Sequence, residues 1–336
     1  MTRFAVVIPL YNKGPHIERA LDSVLAQTRP ADEIIVVDDN SADEGPSRVA
    51  GYGDPRIRLL RRTQPGPGGY AARNLAITET ECDWIAFLDA DDAWTPDHLA
   101  AVEATIAAAT DRPTEPPLVC VFSGYDNVEP DGRRHLDPYS RHHGRERSEV
   151  FDFSGLLKLW LELGDCPIWT SASAFTRASL LAAGMFPADR CVRGGDKDLW
   201  LRAAALGRSA ACPARTAIYY RDAVNMVTRL RTTNARHCMC DTISGMLRNA
   251  GNGTAMLLRR LFNQEVYSYS LYATRGGKVD QMEGTLRPRV IVVEFPSHEA
   301  ALACYRSPEY DAAKALRLQA ASADLVVLEG YDGLPL

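Results

Sequence analysis

One stretch narrows the possible folds most: Trp84 to Trp94, WIAFLDADDAW. An apolar run of this length bounded by polar residues reads as a strand buried on both faces. It ends in three carboxylates, Asp89, Asp91 and Asp92. Ligands of open α/β sheets sit beyond the carboxyl ends of such strands. Acids crowded this closely repel one another unless a cation or hydrogen-bond donors offset them. Carboxylate oxygens suit a hard divalent ion, Mn2+ or Mg2+. The stretch predicts a metal-assisted site at the end of a buried strand. The plainer alternative is a strand followed by a solvated acidic turn.

The preceding chain repeats this grammar. Phe4–Leu10 (FAVVIPL) reads as a buried strand, and Ile17, Ala20, Leu21, Val24 and Leu25 then recur at helical spacing. Glu33–Asp39 (EIIVVDD) is a strand ending in two acids, and Ile57–Leu60 is a shorter one. Gly66–Gly69 makes a turn into a helix, Tyr70–Ile77, carrying Arg73 and Asn74. Beyond the acidic stretch, Thr95 reads as an N-cap with Pro96 at the first helical position, ahead of the alanine-rich run Leu99–Ala109. Alternation of this kind implies a mainly parallel sheet with flanking helices and right-handed crossovers.

Further on, Leu118–Tyr125 and Trp169–Thr176 read as strands, and Asp126–Arg147 as a polar loop. Ser154–Leu163, Arg177–Ala183 and Asp196–Leu206 read as helices, the last two closed by Gly184 and Gly207, and Ala217–Tyr220 reads as a strand. No strand pattern is visible over Asn234–Gly253, so an inter-domain connection is expected there. A strand–helix–strand pattern follows at Val290–Phe295, Glu299–Arg317 and Asp324–Leu328.

A formal net charge of −5 over 336 residues offers no basic excess for a nucleic-acid surface. No run approaches the roughly 18 apolar residues of a spanning helix, and the first residues lack the apolar core of a signal peptide. A cytoplasmic protein, compatible with peripheral membrane association, is the expectation. The eight cysteines are scattered without a paired CxxC, which suits reduced, buried thiols better than a zinc site or a disulfide frame.

Five stretches taken together resemble the GT-A fold of the family 2 glycosyltransferases: VVIPLYNKGPHIERALDSVLAQT, EIIVVDDNSAD, GGYAARNLAI, WIAFLDADDAWTPDHL and GGDKDLWLRAA. They run from about Phe4 to Arg221 in the family's order. The resemblance implies transfer of a sugar from a nucleotide-diphosphate donor, UDP being the usual nucleotide, to an acceptor hydroxyl, with inversion and with Mn2+ or Mg2+, in surface polysaccharide or glycoconjugate synthesis. Position by position, it implies that Pro9 and Tyr11 lie against the base and that Asp39 accepts from the uracil N–H. Arg73 approaches the nucleotide or its phosphates, and Asp89-Ala90-Asp91 is the DxD motif. Asp91 is then the metal ligand, Asp89 holds the ribose, and Asp92 stands behind them. Asp196 is the general base; with Gly195 before it, Asp198 is a candidate to share that role, a helix cap or salt bridge being the plainer reading of Asp198.

Two positions depart from the family pattern. Gly195 stands where a Glu is usual before the base. Asp222 stands where a His commonly follows Arg221, so leaving-group stabilisation would fall to Arg221 or Arg229. The tail from about Tyr272 to Gly330, with EFPS, SPEY and a later Arg, resembles the DUF1330 family, whose small α+β ferredoxin-like domains commonly pair sheet to sheet. The expected organisation is therefore a GT-A domain over 1–235, a helical connection over 236–270 and a ferredoxin-like unit over 271–336, with a homodimer through that unit.

Rival functions remain at this level. A nucleotidyltransferase uses a similar sheet and metal but normally has a Gly-rich basic loop after the first strand, where this chain has Tyr11-Asn12-Lys13-Gly14-Pro15. A phosphate-receiving signalling module needs acids at the end of that first strand, and a dehydrogenase needs GxGxxG there. A degenerate relative that binds nucleotide sugar without turnover is kept alive by Gly195 and Asp222. Trp169 and Trp200 are candidates for an acceptor site, with a core role as the plainer reading.

Overall fold

The computed structural model describes residues 2–110, 116–142, 148–191, 193–223, 237–267, 298–308 and 310–311. Backbone contacts divide the chain into two units, Met1–Gly277 and Lys278–Leu336.

The first unit is built on one sheet. Strands β1 (Phe4–Leu10), β2 (Glu33–Asp38), β3 (Ile57–Arg61) and β4 (Trp84–Phe87) run parallel in the spatial order β3-β2-β1-β4. The short β5 (Ala93–Trp94) pairs antiparallel with the far strand β10 (Arg208–Tyr220). Between β4 and β10 lie β9 (Ser173–Thr176) and β6 (Leu118–Val128), the latter with its hairpin partner β7 (Arg134–Leu136), while β8 (Glu149–Phe151) edges β10. Strand β9 is antiparallel to both β4 and β6, so β6 and β10 point the same way as β1, β2 and β4. The carboxyl ends of all these strands consequently share one edge of the sheet.

The helices cover both faces. Alternating strand residues divide the core: Phe4, Val6, Ile8, Ile34 and Val36 pack on one face, Val7, Ile35 and Val37 on the other. The first face is closed by α1 (Gly14–Leu25), α2 (Gly45–Ala50) and α4 (His98–Thr110) through residues such as Leu21, Val49 and Leu99. The second is closed by α3 (Tyr70–Glu79), α6 (Phe153–Leu163), α7 (Arg177–Ala182) and α8 (Gly195–Ala204) through Ala76, Leu156, Leu180 and Trp200. Burying each of these larger side chains contributes about 1.5–3 kcal/mol. Both faces being covered is why the parallel strands read as unbroken apolar runs.

Several expectations need correction. The Trp84–Trp94 stretch is not among them: β4 stops at Phe87 and the acids follow it, on the connection to β5. Thr95 does not cap the next helix, which starts at His98; its hydroxyl bonds to Asp97 and its carbonyl accepts from the His98 N–H. Asp126–Arg147 is not a plain loop: β6 runs on to Val128 and pairs with β7 across a turn that needs Gly132 at φ +83, before the short α5 (Pro138–His142). Residues 143–147 lie outside the described residues.

The region 239–262 is helical, as α9 (Met239–Leu247) and α10 (Asn252–Phe262). Their Met239, Ile243, Leu258 and Leu261 join Leu157, Trp160 and Leu201 in a third apolar cluster. These helices are thus packed into the first unit. Cys191 and Cys238 are paired as a disulfide, Cα to Cα 5.6 Å, against the expectation of reduced thiols throughout. The cysteines lie 47 residues apart, beyond the reach of a spacing argument. In the second unit the described part is the helix α11 (His298–Tyr305) and a turn beyond it. The strands expected at 290–295 and 324–328 lie outside the described residues, as does Arg229.

Candidate active site

The edge bearing the strand ends gathers the expected residues. At the first two strands Pro9 is half-buried and Tyr11 is 48% exposed, leaving its ring face open. Asp38 accepts from the Ser41 N–H at 2.9 Å, a local turn bond. Asp39 is fully sunk, 1% exposed, and accepts from the Gly66 N–H at 3.0 Å and from Arg62. Its carboxylate sits buried against the Gly66–Gly69 turn, with Arg62 as its counter-charge.

The acidic turn follows β4. Oxygens of Asp89, Asp91 and Asp92 lie within 4.8 Å of one another. Each has its own support. Asp92 is 1% exposed; it accepts from Ser171 Oγ at 2.6 Å and from the Tyr220 N–H at 3.4 Å. Ser171 also takes the Asp89 N–H at 3.0 Å, so one hydroxyl fixes both ends of the turn. Asp89 pairs with Arg73, whose other bond goes to the Gly68 carbonyl at 2.7 Å. Burial, then the neighbouring acids, push the Asp92 carboxyl well above its usual range. Burial and the charge of Asp91 raise Asp89 against the opposing pull of Arg73.

Asp91 faces a cation. Its Oδ2 takes Lys13 Nζ at 2.7 Å, and its carbonyl takes Arg19 at 2.6 Å. An ammonium against this carboxylate shows that the turn accepts a positive charge there. Three converging carboxylates with hard oxygen donors fit Mn2+ or Mg2+. Asp91 is the member whose carboxylate meets an ammonium group.

Arg73 departs from expectation. It is 6% exposed and committed to Asp89 and Gly68, with its guanidinium also over the Phe186 ring at 5.5 Å. Through these contacts it braces the acidic turn. Asp89 is correspondingly an ion-pair partner before it is a ribose acceptor.

Helix α8 begins at Gly195 and carries half-buried Asp196 in its first turn. The Gly195 N–H beside it donates to Tyr70 Oη at 2.9 Å, and Arg73, on the same helix α3 as Tyr70, pairs with Asp89. Asp198 points the other way. It is fully buried and held by Arg202 at 2.8 Å, Arg190 at 3.3 Å and Thr242. Asp198 thus makes the helix salt bridge expected of it and ties α8 to α9.

At the end of β10, Arg221 is 3.6 Å from Glu129 and lies over the Tyr219 ring at 5.9 Å. Asp222 pairs with Arg19 at 3.4 Å, and Arg19 stacks on Tyr220 at 3.7 Å. Arg19 therefore ties the acidic turn to the strand end where the family pattern has a His. Trp200 is core, packed on Phe175. Trp169 is half-buried between Tyr125 and Tyr219 on the active edge. Sequence reasoning missed Lys13, Arg19, Arg62, Tyr70 and Ser171. The first four lie beside readable stretches but carry no spacing signal, and Ser171 meets Asp92 across 79 positions.

Comparison with known proteins fits this architecture. Residues 5–165 match the model of glycosyl transferase family 2, and residues 270–331 match DUF1330, a domain of unknown function. An uncharacterized protein of Mycobacterium tuberculosis is 32% identical over 237 residues, covering 68% of this chain and 70% of that protein. The succinoglycan biosynthesis protein ExoW of Rhizobium meliloti is 43% identical over 103 residues, 30% of this chain and 32% of its own length. The UDP-Glc:alpha-D-GlcNAc-diphosphoundecaprenol beta-1,3-glucosyltransferase WfgD of Escherichia coli is 37% identical over 95 residues, 28% of this chain and 37% of its length. The chain thus spans about a third of these two named relatives. Among solved structures, Staphylococcus aureus TarS 1–349 in complex with UDP-GlcNAc superposes with a TM-score of 0.61 at 17% identity, covering 80% of this chain and 76% of that one. That likeness concerns the fold.

Proposed function

The chain belongs to the family 2 glycosyltransferases, and from that premise we propose an inverting, metal-assisted transfer of a sugar from a UDP-sugar to an acceptor hydroxyl. The observation that supports this reading is that α3 joins the two acidic elements: its Tyr70 accepts the Gly195 N–H next to Asp196, and its Arg73 pairs with Asp89 of the three-carboxylate turn.

In this reading Tyr11 stacks on the base and Asp39 accepts from it, exchanging its Arg62 contact for the nucleotide. Asp91 holds the cation, and Lys13 turns from Asp91 to the diphosphate. A bound Mn2+ or Mg2+ supplies Lewis-acid neutralisation of the leaving diphosphate. Asp89 and Asp92 are kept in place by Arg73 and Ser171. Asp196 takes the proton of the attacking hydroxyl, a role that typically contributes 10²–10⁴-fold, roughly. Attack opposite the leaving group inverts configuration in one displacement and needs no glycosyl-enzyme. Relatives named for succinoglycan biosynthesis and for glucosyl transfer to a lipid-linked sugar favour an acceptor in polysaccharide assembly.

The test is UDP release from UDP-glucose, UDP-galactose and UDP-GlcNAc with Mn2+. At least one should turn over and stop on chelation. Metal-dependent UDP binding without release from any of them would favour the alternative of a binder without turnover, for which Gly195 and Asp222 are the specific departures.

A further inference from the structure

We propose that Tyr70 is a positioning residue for the Asp196 turn, and that its ring occupies the space which a side chain at position 195 would otherwise fill. The inference rests on the reading of Asp196 as the base.

Tyr70 is 5% exposed and opens α3 directly behind the Gly68-Gly69 turn. Its Oη accepts the Gly195 N–H at 2.9 Å. That N–H is the first of α8, one of the donors that a helix leaves without an internal partner. The N-cap of α8 is Gly194, which has no side chain to supply one. A phenol from another element therefore does the capping, one residue before Asp196. The ring is held flat by Phe186, stacked at 5.7 Å and 12°.

The fit is exclusive. A Cβ on Gly195 would lie 2.8 Å from Tyr70 Cζ, 2.9 Å from Cε2 and 3.1 Å from Pro187 Cγ. A Cβ on Gly68 would meet the same ring at 2.7 Å. On the other side of the turn, Gly194 takes φ +77 and its Cβ would approach His237 Nε2 at 3.0 Å. The Gly194-Gly195 backbone is thus threaded between Tyr70 and His237, and both glycines are required by what flanks them. The Glu that the family pattern expects at 195 has been exchanged for a tyrosine reaching in from α3. Asp196 is the first among the charges acting on the phenol, which burial already holds above the ordinary tyrosine range.

The exchange is read by UDP release from UDP-glucose with Mn2+, water serving as acceptor, and by thermal unfolding. Tyr70→Phe keeps the ring and deletes the acceptor. It should lower kcat about 10–100-fold with the donor KM within about threefold, the scale of a base displaced by a fraction of an ångström. Gly195→Glu alone should be worse, and Tyr70→Ala with Gly195→Glu should recover at least about tenfold over either single variant. In unfolding, Gly195→Ala should lower the Tm in the Tyr70 chain and leave it unchanged in the Tyr70→Ala chain. Equal Tm losses in both chains, or an unaltered kcat in Tyr70→Phe while Asp196→Asn is inactive, would overturn the positioning role and leave the base standing. Undiminished turnover in Asp196→Asn would remove both.

Discussion

Single residues divide here into those held by the fold and those free to meet a ligand. Asp92, Asp89 and Asp39 are each bound by a serine, an arginine or a backbone amide. Asp91 is met by Lys13, Asp196 lies in the first turn of α8, and in the proposed reading these two meet the ligand. Asp196→Asn should therefore keep UDP binding within about threefold and lose transfer by about 10²–10⁴-fold; calorimetry and a release assay on the same preparation check both halves. Arg19, from α1, donates to the Asp91 carbonyl and stacks on Tyr220. Arg19→Met keeps the stem and removes the guanidinium, and should weaken Mn2+ binding about tenfold, as loss of a supporting contact around a metal ligand commonly does. The acids were legible in the sequence because they end apolar runs. Lys13, Arg19 and Ser171 were not, because their partners lie far away in the chain and each residue type is ordinary on a surface.

Elements were legible in proportion to burial. β1, β2 and β4 are covered on both faces, and their apolar runs marked them to within a residue or a few. β7 and α5 are short and exposed, so a polar stretch concealed them, and the helical start at His98 was misplaced because Thr95-Pro96 mimics a cap. His98 itself is buried, its Nδ1 on Thr216 Oγ1 at 2.7 Å and its ring stacked on Trp94 at 4.1 Å. Burial holds it at about 3, below the ordinary 6.5. A histidine depressed in the folded state stabilises above its unfolded value and loses that contribution as pH falls toward the folded one. The Tm should thus decline as pH drops from about 6.5, and His98→Gln should flatten that decline in a pH series of melts. Between α8 and β10, Gly207 faces the Pro117 carbonyl so closely that no Cβ fits. Gly207→Ala should cost about 1–3 kcal/mol by overpacking, measured by urea denaturation.

At the scale of the whole molecule, the two units carry different burdens. Every proposed donor-site residue lies within Met1–Gly277. The helices α9 and α10, read from sequence as a connection, instead close an apolar cluster with α6 and α8 and so support Asp196 from behind. A chain ending at Gly277 should bind UDP with Mn2+ as tightly as the full chain. If the DUF1330 unit pairs copies, as we propose, the full chain sediments as a dimer and the shortened one as a monomer; equal mass states would reject that role.

The account depends most on a cation held by Asp91 beneath a nucleotide diphosphate. Calorimetric titration of UDP into the wild-type chain and into Asp91→Asn, each with Mn2+ and with chelator, addresses it directly. The predicted result is wild-type binding that needs Mn2+ and a variant that binds equally weakly in both conditions. Unchanged Mn2+-dependent binding in Asp91→Asn would contradict it.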